Sequence, residues 1–152
     1  MVRMQDNIFC LYAYYYANHI VYTGDNKYNY RMENNSASFK YNKKIINHFE
    51  RYFEEVECFI EKCMSGNERY KKALDAKTLT SINSYLLYYF CHADFTKQRE
   101  TDTLSNLMSR QPYAGALKRV DFSYLTASEK VFVILLKLRL YGALKLIYKI
   151  KQ

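Results

Sequence analysis

The sequence predicts a mainly α protein, a helical bundle with a short N-terminal β-hairpin. Three observations predict it. One proline and four glycines in 152 residues leave little to interrupt helices, and argue against a β-sandwich or a disordered linker. Apolar side chains step by three or four along several long stretches. Thr126-Ala127-Ser128-Glu129 has the Ser/Thr-x-x-Glu form that opens helices. At this length one domain with a buried core is expected.

The first helix is expected over residues 6–18, with Asp6 as N-cap and an apolar run from Ile8 to Ala17. Apolar and aromatic side chains surround it, so burial on most sides is expected. Any part left uncovered would drive self-association into a homo-oligomer. Residues 20–32 read as a hairpin. Ile20-Val21-Tyr22-Thr23 is followed by a turn at Gly24-Asp25-Asn26 and by an alternating segment from Lys27 to Met32. Alternation puts Tyr28 and Tyr30 on one face, with Asn29 and Arg31 on the other. Asn34, Asn35, Ser36 and Ser38 form a polar loop. Residues 1–38 are one segment, 39–125 a helical domain and 126–152 a basic helical tail, all within one compact unit.

Phe39 to Met64 is a long helix whose Ile45, Phe49, Tyr52, Val56, Ile60 and Cys63 form one face; Gly66 ends it. Asn67 to Ala76 reads as a polar connection. A helix from Lys77 to Ala93 carries Leu79, Ile82 and Leu86, and another from Thr96 to Gln111 turns Leu104, Leu107 and Met108 inward until Pro112 stops it. Tyr113 to Val120 is a short helix or turn, and Asp121 to Leu125 a loop. The capping box then opens a helix to Leu140, bent at Tyr141-Gly142 and continued to Ile150.

The net charge is +8, and the excess concentrates in the tail. There Lys130, Lys137, Arg139, Lys145, Lys149 and Lys151 stand against Glu129 alone. A basic helix with an apolar face can lie in a membrane headgroup plane, which makes Lys137, Arg139, Lys145 and Lys149 candidate membrane-surface residues. Packing of the same helix on its neighbours is the alternative. The most apolar run, Val131 to Leu136, is far shorter than the ~20 residues a span needs. No recognisable DNA- or RNA-binding motif occurs, and the basic residues cluster on an apolar helix, so nucleic acid is not the expected partner. Cys10, Cys58, Cys63 and Cys91 form no Cys-x-x-Cys pair. His19, His48 and His92 lack metal-ligand spacing, so no metal site is expected.

The order Gln5-Asp6, helix, strand, turn, Tyr28-Asn29-Tyr30-Arg31, Ser36 resembles the C-terminal end of the catalytic domain in family 2 glycosyltransferases. These are the GT-A type enzymes that build bacterial capsule and lipopolysaccharide sugars. The basic apolar tail, Leu135 to Lys151, is similar to the tails of these enzymes. The resemblance implies that Asp6 is the general base on an acceptor hydroxyl. It implies that Tyr28, Tyr30, Arg31 and Ser36 bind substrate, with Arg31 on the diphosphate or the sugar. From residue type alone, without the resemblance, Asp6 reads as a plain N-cap and Arg31 as a solvated or ion-paired strand-end residue.

Gln5 stands where the family commonly has Glu, so all base chemistry would fall on Asp6. No Asp-x-Asp and no Gly-rich phosphate loop occurs. The resemblance therefore implies a C-terminal fragment, inactive alone and carrying no cofactor. The full enzyme would take a divalent metal, a nucleotide sugar and a lipid-linked or saccharide acceptor. It would work in the cytoplasm, peripheral on the inner face of the bacterial membrane. A non-catalytic helical adaptor or membrane-surface protein is the competing expectation.

Overall fold

The computed structural model describes residues 5–24, 45–92 and 104–150. Within them the protein is mainly helical. Helices α1 (Gln5–Tyr16), α2 (Ile45–Cys63) and α3 (Glu68–His92) are followed by α4 (residues 104–109) and α5 (Tyr113–Arg119). A 3-10 turn (Phe122–Tyr124) leads into α6 (Ala127–Lys137) and α7 (Tyr141–Ile150).

Helix α3 is the axis, and α2, α5, the 3-10 turn, α6 and α7 all pack on it. The cause lies in its sequence. Leu79, Ile82 and Leu86 recur at helical spacing and are sealed from solvent. Small polar residues widen the buried face instead of breaking it. Thr78 and Ser81 are buried, and the Ser81 hydroxyl donates to the Thr78 carbonyl at 2.8 Å, so its polarity is satisfied within the helix. Leu104, Leu107 and Met108 of α4, Tyr113 and Ala116 of α5, Phe132, Val133 and Leu136 of α6, and Tyr141 and Leu144 of α7 complete one core.

Helix α3 begins earlier than the hydrophobic pattern indicates. The polar stretch expected to be a connection is its first half. Asn67 starts the helix, its side-chain carbonyl accepting from the Arg69 backbone N–H at 2.9 Å. The charges that suggested a loop are paired outward across neighbouring elements. Lys71 meets Glu61 at 2.7 Å and Lys72 meets Asp121 at 3.2 Å. Asp75 is buried and receives a two-pronged contact from Arg119 of α5, at 3.0 and 2.7 Å. That pair ties α5 to the axis and holds the guanidinium further above its ordinary value.

On α2 the buried face keeps Phe49 and Ile60 of the predicted set and widens to Ile46, Phe53 and Phe59, while Tyr52 and Val56 are half-buried. Two partners account for the width: α3 covers one side of α2, and α1 covers Phe59 on another. The helix ends as expected at Gly66 (φ 62°), preceded by Ser65, also left-handed (φ 50°).

The expected hairpin finds no support among the described residues, which contain no strand. Its first arm, Ile20 to Thr23, has no regular structure, and Val21 and Tyr22 are 81% and 93% exposed. β-branched residues without a neighbouring strand have nothing to pair with. The second arm, Lys27 to Met32, lies outside the described residues. So do residues 39–44 and 96–103, where two helices were expected to begin.

The expected loop at Asp121 is instead capped into a 3-10 turn. The Asp121 carboxylate accepts from the Ser123 backbone N–H (3.0 Å) and hydroxyl (2.7 Å), and from Lys72. These donors favour the charged form and lower its pKa to about 2.

Two predictions follow from this packing. Leu79→Ala should destabilise the protein by about 2–5 kcal/mol, since the site is enclosed on every side; urea unfolding followed by circular dichroism checks it. Asp121 should add stability that is present above about pH 4 and is lost as pH falls toward 2. The stability difference between wild type and Asp121→Asn should therefore shrink through that window. A constant difference from pH 6 to pH 2 would rule the electrostatic account out.

Candidate functional site

Two surfaces hold those residues singled out by the sequence that have a described position. The first is α1. It lies against the C-terminal half of α2 through Tyr12 and Tyr15, whose rings meet Phe59 edge-on at 4.9 and 5.3 Å. The Tyr15 hydroxyl donates to the Cys63 carbonyl at 2.7 Å. These contacts cover one side of the helix only. Phe9 (73%), Tyr14 and Tyr16 stay largely exposed, so less of the helix is covered than the expected burial on most sides. The apolar circumference is real, but the described residues provide a single neighbour for it.

Asp6 sits inside the first turn of α1, one residue after its start, and is exposed. It is therefore not the N-cap residue by position. A carboxylate there is favoured by the helix N-terminus and open to an approaching hydroxyl. Tyr28, Tyr30, Arg31 and Ser36 lie outside the described residues, so of the predicted catalytic and substrate-binding set only Asp6 has a described position. Among the described residues no three His, Cys, Asp or Glu side chains gather in a way that could hold a metal ion.

The second surface is the α6–α7 hairpin. The capping box forms as read from the sequence: Thr126 Oγ1 accepts from the Glu129 N–H at 3.4 Å, and Glu129 Oε2 accepts from the Thr126 N–H at 2.8 Å. The Thr126 N–H and the Thr126 hydroxyl (2.7 Å) both donate to Glu129 Oε2, and with attraction from Lys77 they hold the carboxyl below its ordinary value. The bend lies at residues 138–140, before the expected Tyr141-Gly142. Arg139 takes a left-handed conformation (φ 56°), its N–H donating to Leu136 O at 3.1 Å and the Leu140 N–H to Leu135 O at 2.9 Å. This is the paired closure that usually employs glycine.

Lys137 and Arg139 are exposed at this turn, with Lys137 Nζ 5.2 Å above the Phe122 ring. Lys145 is half-buried on α7. Lys149 belongs to α7, but its side chain lies outside the described residues.

In sequence the helix opened by the capping box carries the stripe Val131, Leu135, Leu138. The structure turns that side outward: Val131 and Ile134 of α6 and Leu138 at its C-terminal cap are exposed, as are Leu146 and Ile147 of α7, while the core takes Phe132, Val133 and Leu136. Between α3, α6 and α7 runs a groove of about 320 Å³. Thr80 and Asn83 contribute its polar side; Val131, Leu135, Leu144 and Ile147 contribute apolar walls. No helix among the described residues is long and apolar enough to cross a membrane.

Comparison with protein-family models, with curated proteins and with solved structures finds no match for this chain.

Arg139→Gly should raise stability by about 0.5–1 kcal/mol, because glycine takes the left-handed conformation without the Cβ clash. Thermal unfolding of the two proteins checks it. A lower melting temperature would mean that contacts of the arginine side chain outweigh the backbone strain.

Proposed function

We propose that this chain is the C-terminal portion of a family 2, GT-A type glycosyltransferase that transfers a sugar from a nucleotide-sugar donor to a surface-polysaccharide acceptor, and that it is inactive alone. The observation that carries the reading is the order of residues from Gln5-Asp6 to Ser36. Two structural features support it. The Asp6 carboxylate is open to solvent in the first turn of a helix, where a general base can reach an acceptor hydroxyl. The aromatic face of α1 is uncovered, as befits a helix that another part of a larger enzyme would cover.

In this reading Asp6 takes the proton of the acceptor hydroxyl as that oxygen attacks the anomeric carbon and the nucleotide diphosphate leaves. Tyr28, Tyr30, Arg31 and Ser36 hold the substrate. A divalent metal and the nucleotide sugar belong to an upstream α/β half. The second reading, a non-catalytic helical membrane-surface or adaptor protein, is favoured by the exposed apolar face of α6 and α7.

The test begins with the genomic sequence upstream of the Met1 codon. An α/β-encoding segment containing Asp-x-Asp, in frame or one frameshift away, is the expected finding. In the restored enzyme Asp6→Asn should then lower kcat by about 10²–10⁴-fold while donor binding persists. An unrelated upstream sequence, or an Asp6→Asn enzyme with full turnover, would leave the second reading in place.

A further inference from the structure

The α6–α7 hairpin carries an apolar face that the described residues leave exposed, and the inference from it rests on the membrane-surface reading, not on the transferase one. Ile134 and Leu138 lie one turn apart on α6, with Leu138 62% exposed. Leu140 follows at the tip, also exposed. Val131 of α6 and Ile147 of α7 border one groove, with Ser128 and Glu129 at its end away from the tip; Ile134 and Leu138 continue the Val131 side of the hairpin toward the tip at i+3 and i+7. Lys130, Lys137 and Arg139 are interleaved with this apolar surface.

We propose that this face docks on an anionic lipid bilayer, with Leu138 and Leu140 entering the boundary between headgroups and acyl chains and the basic residues meeting the lipid phosphates. Charge complementarity selects the occupant. Glu129 is the one acid between residues 126 and 152, and it lies at the far end of α6 from the turn. Its charge is engaged by the Thr126 N–H and attracted by Lys77.

The backbone of the tip is also suited to a medium poor in water. The N–H groups of Leu138, Arg139 and Leu140 donate to Ile134, Leu136 and Leu135 carbonyls, so entry strands none of these donors. The helices have 11 and 10 residues, about half the ~20 that a span needs, so the hairpin lies on the surface and does not cross.

The test is flotation of the full chain with vesicles of phosphatidylcholine containing 30% phosphatidylglycerol, and with vesicles of phosphatidylcholine alone. The wild type should float with the anionic vesicles at low salt, bind the neutral ones at least about tenfold more weakly, and be released by high salt. Leu138→Ser with Leu140→Ser keeps the charge and changes exposed positions only; it should weaken binding by about tenfold. Lys137→Gln should weaken it by about fivefold. Circular dichroism should show unchanged helicity in each variant.

Failure of the wild type to float overturns the proposal. So does a double-serine variant that binds like wild type, which would mean attraction by net charge alone. A wild-type dimer that ignores vesicles and becomes monomeric in the double-serine variant would assign the face to a second copy of the chain, against the proposal. A chain that does not float loses the membrane-surface reading and leaves the transferase reading to the test upstream of Met1, so the two failures are distinguishable.

Discussion

The structure depends on covering one helix. Between Ala76 and Leu86, α3 presents a face too broad for one neighbour: Thr78, Leu79, Ser81, Ile82 and Leu86 are all buried. Such a helix is unstable in water by itself and becomes stable only when packed on several sides. Helices α2, α4, α5, α6 and α7 all bring apolar side chains to the same core. The Asp75–Arg119 pair adds direction to this packing. A buried carboxylate without a partner is costly, so α5 is held where its arginine reaches the axis.

Helix α1 stands apart from that constraint. It has no side chain in the common core and is held by rings against Phe59 and by the Tyr15 and Tyr16 hydroxyls at Cys63. Its proposed catalytic residue therefore sits on the element that contributes least to the core. A function carried there can depend on what covers the aromatic face without the bundle depending on it. The α6–α7 hairpin solves a different problem. One side of α6 serves the core, and the other keeps valine, isoleucine and leucine in solvent beside lysines. Burying them against the bundle would require a further element on that side.

The bundle was legible where a single side chain speaks to its own backbone. The Thr126–Glu129 box, the stop at Gly66 and the stripe Leu79, Ile82, Leu86 act within a turn or two of chain, so their signal survives in sequence. Polarity by itself does not distinguish a loop from the charged side of a helix. Lys71, Lys72 and Asp75 are polar because they face Glu61, Asp121 and Arg119, residues distant in sequence. The hairpin failed for a related reason. Ile20 to Thr23 has strand composition, but a strand exists only with a neighbour to accept its hydrogen bonds. Of the candidate site, only Asp6 and the tail's basic residues up to Lys145 can be judged. Asp6 moved from cap to first turn, a shift that periodicity does not resolve.

The sequence by itself determined that the chain is helical, where its strongest caps and stops lie, and that its charge is gathered in the last two helices. Those properties arise from local hydrogen bonding, side-chain spacing and composition. Tertiary structure alone decided that a charged segment is the first half of the axial helix. It also decided which face of α2 is buried, and that α1 and the α6–α7 hairpin each keep an apolar side in solvent. Burial is a property of the neighbours a residue acquires, and those neighbours lie tens of residues away along the chain.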